Sequence, residues 1–276
     1  MSVSILILTL NEELNLPACL ESVKWCDDVV VLDSLSTDQT TALATAFGAR
    51  VIQRKFDNWA SHQNWALEQI PFKHEWVFYL DADERMTNEL RQEITMVASN
   101  PNEAAVAYYC GRKNFFMGRW IKHAMPPGMI MRFFQPQKVR FERLVNPTPV
   151  INGTHGYLAN HFLHFNFSKG LSEWFQKHNK YSDLEALEGI KLLQGVVRTE
   201  GSLFTGDAAL RRQALKNLSF HLPCRSFLKF IYLYFIKRGF LDGHAGFTYC
   251  VLQSIYEYMI SLKMKELKRK EQGLPT

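Results

Sequence analysis

Four short strand-like segments occupy the first 98 residues, with a helix-like segment between each and the next: apolar runs at 3–8, 29–32 and 76–80, and a short third strand at 49–53. This pattern restricts the fold more than any other feature of the chain. A strand that is apolar at every position is covered on both faces, and strands of that kind alternating with helices make a parallel sheet. Leu16, Cys19, Leu20 and Val23 have the i, i+3, i+4, i+7 spacing of one helix face. Ser36-Thr37-Asp38-Gln39 reads as a capping box with Ser36 at the N-cap, and Gly48 as the stop of the helix it opens. A further helix is expected over 59–70. Another carries Leu90, Ile94 and Val97, with Thr87 or Asn88 as its cap.

Ligands of parallel sheets bind outside the carboxyl ends of the strands. The polar residues of this chain gather there: Asn11 and Glu12 after the first strand, Asp33 after the second, Asp81 and Asp83 after the fourth. Asp81-Ala82-Asp83 is the sharpest signal. On extended backbone, residues two apart point the same way, so both carboxylates would face one point. Such a pair suits Mg²⁺ or Mn²⁺, either of which keeps positions open for phosphate oxygens. Asn11, Glu12 and Asp33 can hydrogen-bond a nucleobase and ribose, or simply cap helices. No Gly-x-Gly-x-x-Gly or Walker loop follows any strand, which argues against a dinucleotide oxidoreductase and a P-loop kinase.

Three motifs in this order carry a resemblance: Leu8-Thr9-Leu10-Asn11-Glu12-Glu13, then Val31-Leu32-Asp33-Ser34-x-Ser36-Thr37-Asp38-x-Thr40, then Leu80-Asp81-Ala82-Asp83-Glu84-Arg85. Together they resemble family 2 glycosyltransferases of the GT-A fold. Residues 112–121, Met131-Arg132-Phe133-Phe134, Lys177-His178-Asn179-Lys180-Tyr181-Ser182 and Gly239-Phe240-Leu241-Asp242-Gly243-x-x-Gly246-Phe247 are similar to the branch of lipopolysaccharide-core glucosyltransferases. The resemblance implies a GT-A domain over 1–168, with a nucleotide-sugar half (1–98) and an acceptor half (99–168), and a helical region over 169–276. It also implies inverting transfer from a nucleotide sugar, a UDP-sugar by analogy, to a glycan of the envelope. By position, Asn11, Glu12 and Asp33 would hold the nucleotide, and Asp81 and Asp83 the metal and diphosphate. That branch shows Val-His-Glu where this chain has Val145-Asn146-Pro147. Glu142 is the nearest carboxylate able to act as general base, His155 is a second candidate, and Glu142 reads equally as a strand-surface charge. The missing carboxylate keeps open a non-catalytic nucleotide-sugar-binding or assembly subunit.

The remaining signals are compositional. Five cysteines without a Cys-x-x-Cys pair argue against a disulfide scaffold and a structural zinc site, and for a reducing compartment. His161-x-x-His164 could suggest a metal pair, but on a strand an odd separation points the rings apart, and Phe162, Leu163, Phe165 and Phe167 favour a β core. The sequon Asn152-Gly153-Thr154 reads as chance. The apolar start reads as a buried strand rather than a signal peptide. Residues 1–207 hold 20 basic and 23 acidic side chains against 12 and 4 in 208–276. The aromatic segment 227–236, the apolar segment 247–262 and the basic tail 263–270 suggest an anchor on an anionic membrane surface, or packing against the rest of the chain. No motif for nucleic acid occurs. The expected setting is cytoplasmic, peripheral on the inner face of the cytoplasmic membrane, with a glycan or lipid-linked acceptor.

Overall fold

A computed structural model describes residues 3–142, 147–194, 214 and 224–275. Val145 and Asn146 of the missing Val-His-Glu position, and Arg211 and Arg212 of the basic region, lie outside the described residues. Two compact units emerge, one of residues 1–115 with 126–168 and the other of 116–125 with 169–276.

The first unit is built on a mixed sheet. Its strands are β1 (Val3–Thr9), β2 (Val29–Asp33), β3 (Arg50–Gln53), β4 (Trp76–Asp81), β5 (Glu84–Arg85), β6 (Ala105–Phe116), β8 (Met129–Phe134) and β11 (Thr154–His164), while the two-residue strand β7 (Arg119–Trp120) belongs to the second unit. The order across the sheet is β3-β2-β1-β4-β8-β6-β11-β5. β1 runs parallel to β2 and β4, and β2 parallel to β3. β8 is antiparallel to β4 and β6. A separate ribbon pairs β9 (Val139–Glu142) with β10 (Thr148–Ile151), Phe141 opposite Pro149 and Glu142 opposite Thr148.

The apolar runs are continuous because each parity of side chains enters its own core. Val3, Ile5 and Ile7 of β1, Val29 and Val31 of β2, and Trp76, Phe78 and Leu80 of β4 pack with Leu16, Leu20, Leu90 and Ile94. The last four come from α1 (Leu16–Ser22) and α4 (Asn88–Ala98). Leu6, Leu8, Val30, Leu32, Val77 and Tyr79 pack on the opposite side with Ala66 and Leu67 of α3 (Trp59–Gln69). A polar residue in either set would lose its water without gaining a partner.

Two helix starts illustrate how capping is decided. Thr87 caps α4 by accepting from the Leu90 N–H at 3.2 Å, as expected. The capping box at Ser36 does not form: α2 (Thr40–Phe47) begins four residues later. Asp33 takes both the N–H and the hydroxyl proton of Ser36, Ser36 Oγ accepts from the Asn11 N–H rather than from a helix N–H, and Asp38 accepts from the Thr40 N–H at 3.0 Å. Gly48, in the left-handed region at φ 92°, closes α2.

The second unit is helical: α5 (Gly170–Leu193), α6 (Arg225–Ile231), a π-helical turn over Tyr232–Ile236, a 3-10 turn over Gly239–Asp242, and α7 (Gly243–Glu271). Ala186 and Ile190 of α5 meet Ile260 and Met264 of α7. Arg225 pairs with Glu257 at 2.8 Å. Asp242, 2 % exposed, accepts from the backbone N–H groups of Lys122, His123 and Ala124 at 3.1, 2.9 and 2.9 Å, and bonds the His123 ring at 2.8 Å. Burial pushes its carboxyl up, but these donors outweigh burial and hold it below the usual value. No helix among the described residues is long and apolar enough to cross a membrane. All five cysteines are free thiols.

Candidate active site

Parallel pairing brings the ends of β1, β2 and β3 level, Thr9 opposite Asp33 and Asp33 opposite Gln53. Asp33 is fully buried there. It accepts from Thr9 Oγ1 at 3.0 Å, Gln53 Nε2 at 3.1 Å, the Ser36 N–H at 2.8 Å and the Ser36 hydroxyl. Asn11 sits at φ 53°, a left-handed conformation that asparagine tolerates. Its N–H donates to Ser36 Oγ and its Oδ1 accepts from the Thr37 N–H, both at 2.8 Å. The Glu12 N–H donates to Thr40 Oγ1 at 2.8 Å, while its carboxylate accepts from Asn15 Nδ2 at 2.8 Å. The first two sequence motifs are thus one interlocked pair of loops. A chain through the buried His62, not legible in the sequence, extends it: Arg54 donates to His62 Nδ1 at 2.8 Å, and His62 Nε2 faces Ser34 Oγ at 3.4 Å. Burial and the Arg54 charge hold His62 below its usual value, hence neutral.

Asp81 and Asp83 do not share one extended strand. β4 ends at Asp81, and Ala82-Asp83 form a turn into β5. The two carboxylates therefore enter different surroundings. Asp81 accepts from Arg132 at 2.6 Å and from the Tyr79 hydroxyl. Arg132 also donates to Glu84 at 2.8 Å, and its guanidinium lies 4.1 Å from the centre of the Tyr79 ring. Burial opposes charge on Arg132, but Asp81 and Glu84 outweigh it and keep the group protonated. Glu84 is fully buried. Burial pushes its carboxyl up to about 8, with Arg132 pulling the other way and Asp81 and Asp83 adding to the rise.

Asp83 faces His164 instead, with Oδ2 3.4 Å from Nε2. His164 Nδ1 lies 2.8 Å from Asn114 Oδ1, so Nδ1 donates to the amide oxygen and Nε2 is the ring nitrogen turned toward Asp83. The odd spacing does send the two histidines apart, since His161 packs over Gly111. Asn114, Arg132 and His164 stand in stretches the sequence singles out, but their place in the site was not legible. The sheet order sets Arg132 on β8 beside β4 and His164 on β11 beside β5, with Asn114 on β6 next to β11. No group of three His, Cys, Asp or Glu side chains among the described residues converges as a metal-ligand set. The carboxylate of Asp83 with the imidazole of His164 is nevertheless a donor pair that suits a small divalent cation, Mn²⁺ more than Mg²⁺.

Beside this network lies a cleft of about 400 Å³ walled by Tyr79, Arg132, Trp59, Tyr109, Met131 and Phe141. The side chain of Asn64 shapes it, donating to the Phe141 carbonyl at 2.9 Å and accepting from its N–H at 2.8 Å. Glu142, the next residue, is exposed with Arg140 on the opposite face of β9 from the buried Phe141. Among the described residues no hydrogen bond or ion pair ties Glu142 to Asp81, Asp83 or His164. His155 is exposed, against the rings of Tyr109 and Tyr157 at 5.4 and 5.8 Å.

A mostly parallel sheet with acidic residues at the carboxyl ends of its strands and a neighbouring aromatic cleft is the arrangement of a GT-A transferase. Residues 4–158 match the family model of glycosyl transferase family 2, and the chain belongs to that family and is a glycosyltransferase. It is similar to an uncharacterised glycosyltransferase of Rickettsia typhi, 25% identical over 284 residues covering 99% of this chain and 89% of that one. It is also similar to the lipopolysaccharide core biosynthesis glycosyltransferase LpsC of Rhizobium meliloti, 26% identical over 270 residues, 95% of this chain and 91% of the relative. Among solved structures, S. aureus TarS (residues 1–349) aligns over 99% of this chain and 92% of that one, with a TM-score of 0.44 and 13% identity.

Proposed function

We propose that this glycosyltransferase moves a sugar, with inversion, from a nucleotide-sugar donor to a hydroxyl of an envelope glycan, in lipopolysaccharide or envelope polysaccharide biosynthesis. The observation that carries the reading is the gathering of Asp33, Asp81, Asp83 and His164 at the carboxyl edge of the sheet. The near full-length similarity to LpsC supports the envelope acceptor. A UDP-sugar is the proposed donor, with its nucleotide against Asn11, Glu12 and Asp33. Asp83 and His164 would hold the Mg²⁺ or Mn²⁺, with Asp81 behind them, braced by Arg132 and Tyr79. Such a cation offsets the charge that builds on the leaving diphosphate. Asn114 holds His164 with Nε2 toward Asp83, and the cleft seats the acceptor against aromatic walls.

Inversion needs a single displacement: the acceptor oxygen bonds to the anomeric carbon, the nucleoside diphosphate leaves with the bonding pair, and a base takes the hydroxyl proton. Glu142 is the proposed base, with His155 as second candidate. The enzyme would work at the cytoplasmic face of a membrane, on a lipid-linked or lipid-embedded acceptor.

The test is acceptor-dependent release of nucleoside diphosphate, with Mn²⁺, across a panel of nucleotide sugars and envelope extracts. The expected product has the anomeric configuration opposite to that of the donor. If no nucleotide sugar turns over with any acceptor fraction, the reading fails. In the same assay Glu142→Gln is expected to retain donor affinity and lose most turnover; unchanged turnover moves the role to His155 or elsewhere.

A further inference from the structure

The second unit exposes an apolar surface that its own core does not use. Leu228, Tyr232, Phe235 and Ile236 follow helical spacing along α6 and the π-helical turn, and Phe240 and Leu241 continue them in the 3-10 turn. These six side chains are between 41 and 68 % exposed. They do not sit on a loose loop. Beneath them Phe230 stacks on Tyr234 at 5.2 Å, both rings meet the edge of Phe247 at 5.9 and 5.7 Å, and Leu233 is buried. π-helical turns are rare and often lie at functional sites, and here one carries the two most exposed of the six, Phe235 and Ile236.

The charge at the π-helical end of this surface is basic, while Glu257 answers the cations at its α6 end. Between residues 224 and 256 the only acidic residue is Asp242, and its carboxylate is buried against the backbone of residues 122–124. Arg225 and Lys229 face Glu257. Lys237 and Arg238, directly after the apolar stripe, are exposed and meet no acid among the described residues. The tail is different: Lys263 pairs with Asp183 and Lys270 with Glu266, each at 2.6 Å. Apolar and aromatic side chains beside unopposed cations are the composition that enters the headgroup layer of an anionic bilayer.

We infer that the surface formed by α6, the π-helical turn and the 3-10 turn docks on an anionic lipid bilayer, with Phe235 and Ile236 inserted and Lys237 and Arg238 against the headgroups. The basic tail is secondary. Naming this partner rests on the membrane-side reading above, but it stands or falls separately from the transfer chemistry.

The test is co-sedimentation of the full chain with phosphatidylcholine vesicles, with and without phosphatidylglycerol. The intact protein is expected to bind the anionic vesicles, less so as salt rises. Phe235→Ser/Ile236→Ser is expected to weaken that binding at least about tenfold. Lys237→Glu/Arg238→Asn should remove most of the salt dependence, asparagine being chosen because Arg238 has φ 58°. Lys265→Glu/Lys268→Glu in the tail should change binding by less than about threefold. Unaltered melting temperatures establish that the variants fold, and Phe227→Ser/Leu228→Ser is the second apolar pair should the first unfold. Wild-type binding by both apolar variants, equal binding to vesicles lacking phosphatidylglycerol, or a larger loss from the tail variant overturns the inference. So does a dimer in sedimentation that the apolar variants turn into monomer, since the surface then meets a second copy. Transfer to a water-soluble acceptor fragment is expected to survive in these variants; its absence in the intact protein bears on the proposed chemistry, not on this surface.

Discussion

Asp83 and Asp81 are two residues apart and differ in everything that matters chemically. Asp81 is held by Arg132 and Tyr79, whereas Asp83 faces His164 across 3.4 Å. Asp83→Ala and His164→Ala are each expected to lower transfer about 100-fold or more, since charge on the leaving group would go unanswered. Mn²⁺ should then no longer strengthen nucleotide binding, which calorimetry with and without chelator reads directly. Unchanged turnover in both variants, or in chelator, sinks the metal assignment. Arg132 acts on stability. Arg132→Met leaves Asp81 without its cation and buried Glu84 without a donor, and should cost about 3–5 kcal/mol in denaturant titration. Glu84 adds a pH dependence whose sign follows from its raised value. Its carboxyl titrates at about 8 folded against an ordinary 4.5, so the folded chain keeps a proton that the unfolded chain releases. Stability from this group is complete below its ordinary value and declines as pH rises toward the folded one. Glu84→Gln should flatten that decline between about pH 5 and 8; an unchanged slope would show that Glu84 is ionised throughout.

Elements are joined by side chains imitating backbone. Asn64 reaches from α3 to hold Phe141 of β9 with one donor and one acceptor, as a neighbouring strand would. Asp242 gathers three backbone N–H groups of residues 122–124, which explains why a short segment far away in sequence belongs to the helical unit. The glycines around Asp242 have a steric reason: a Cβ on Gly246 would stand 2.3 Å from the Gly239 carbonyl oxygen and 2.5 Å from Asp242 Cβ. Asp242→Ala should lower stability by about 3–5 kcal/mol, through the buried donors it abandons. Gly246→Ala should cost about 1–3 kcal/mol through overpacking. Thermal melts of the two variants check both, and a wild-type melting temperature for Asp242→Ala removes the clamp.

For the whole molecule, the sequence alone determined the parallel strands β1 to β4 of the sheet. Parity is a local property of a strand, so runs such as 29–32 announce burial on both faces before any partner is known. It also determined that Asn11, Asp33, Asp81 and Asp83 lie at strand ends, because strand length and the following loop are local too. Tertiary structure decided what each of them does. Ser36 was legible as a cap and instead ties two loops together, donating to the buried Asp33 while its oxygen accepts from the Asn11 N–H. Asn114, Arg132 and His164 stand in stretches the sequence marks, but their role carries no local sign, because they meet the acidic turn only through a strand order that runs β4-β8-β6-β11-β5. In the second unit the sequence determined the aromatic and basic composition, while packing decided which rings are core and which face outward. Phe230 and Phe235 are five residues apart on one helical run, yet only Phe230 meets the edge of Phe247, and Phe235 is 54 % exposed. Helical periodicity fixes the angle between two side chains, but only the position of α7 fixes which angle is buried.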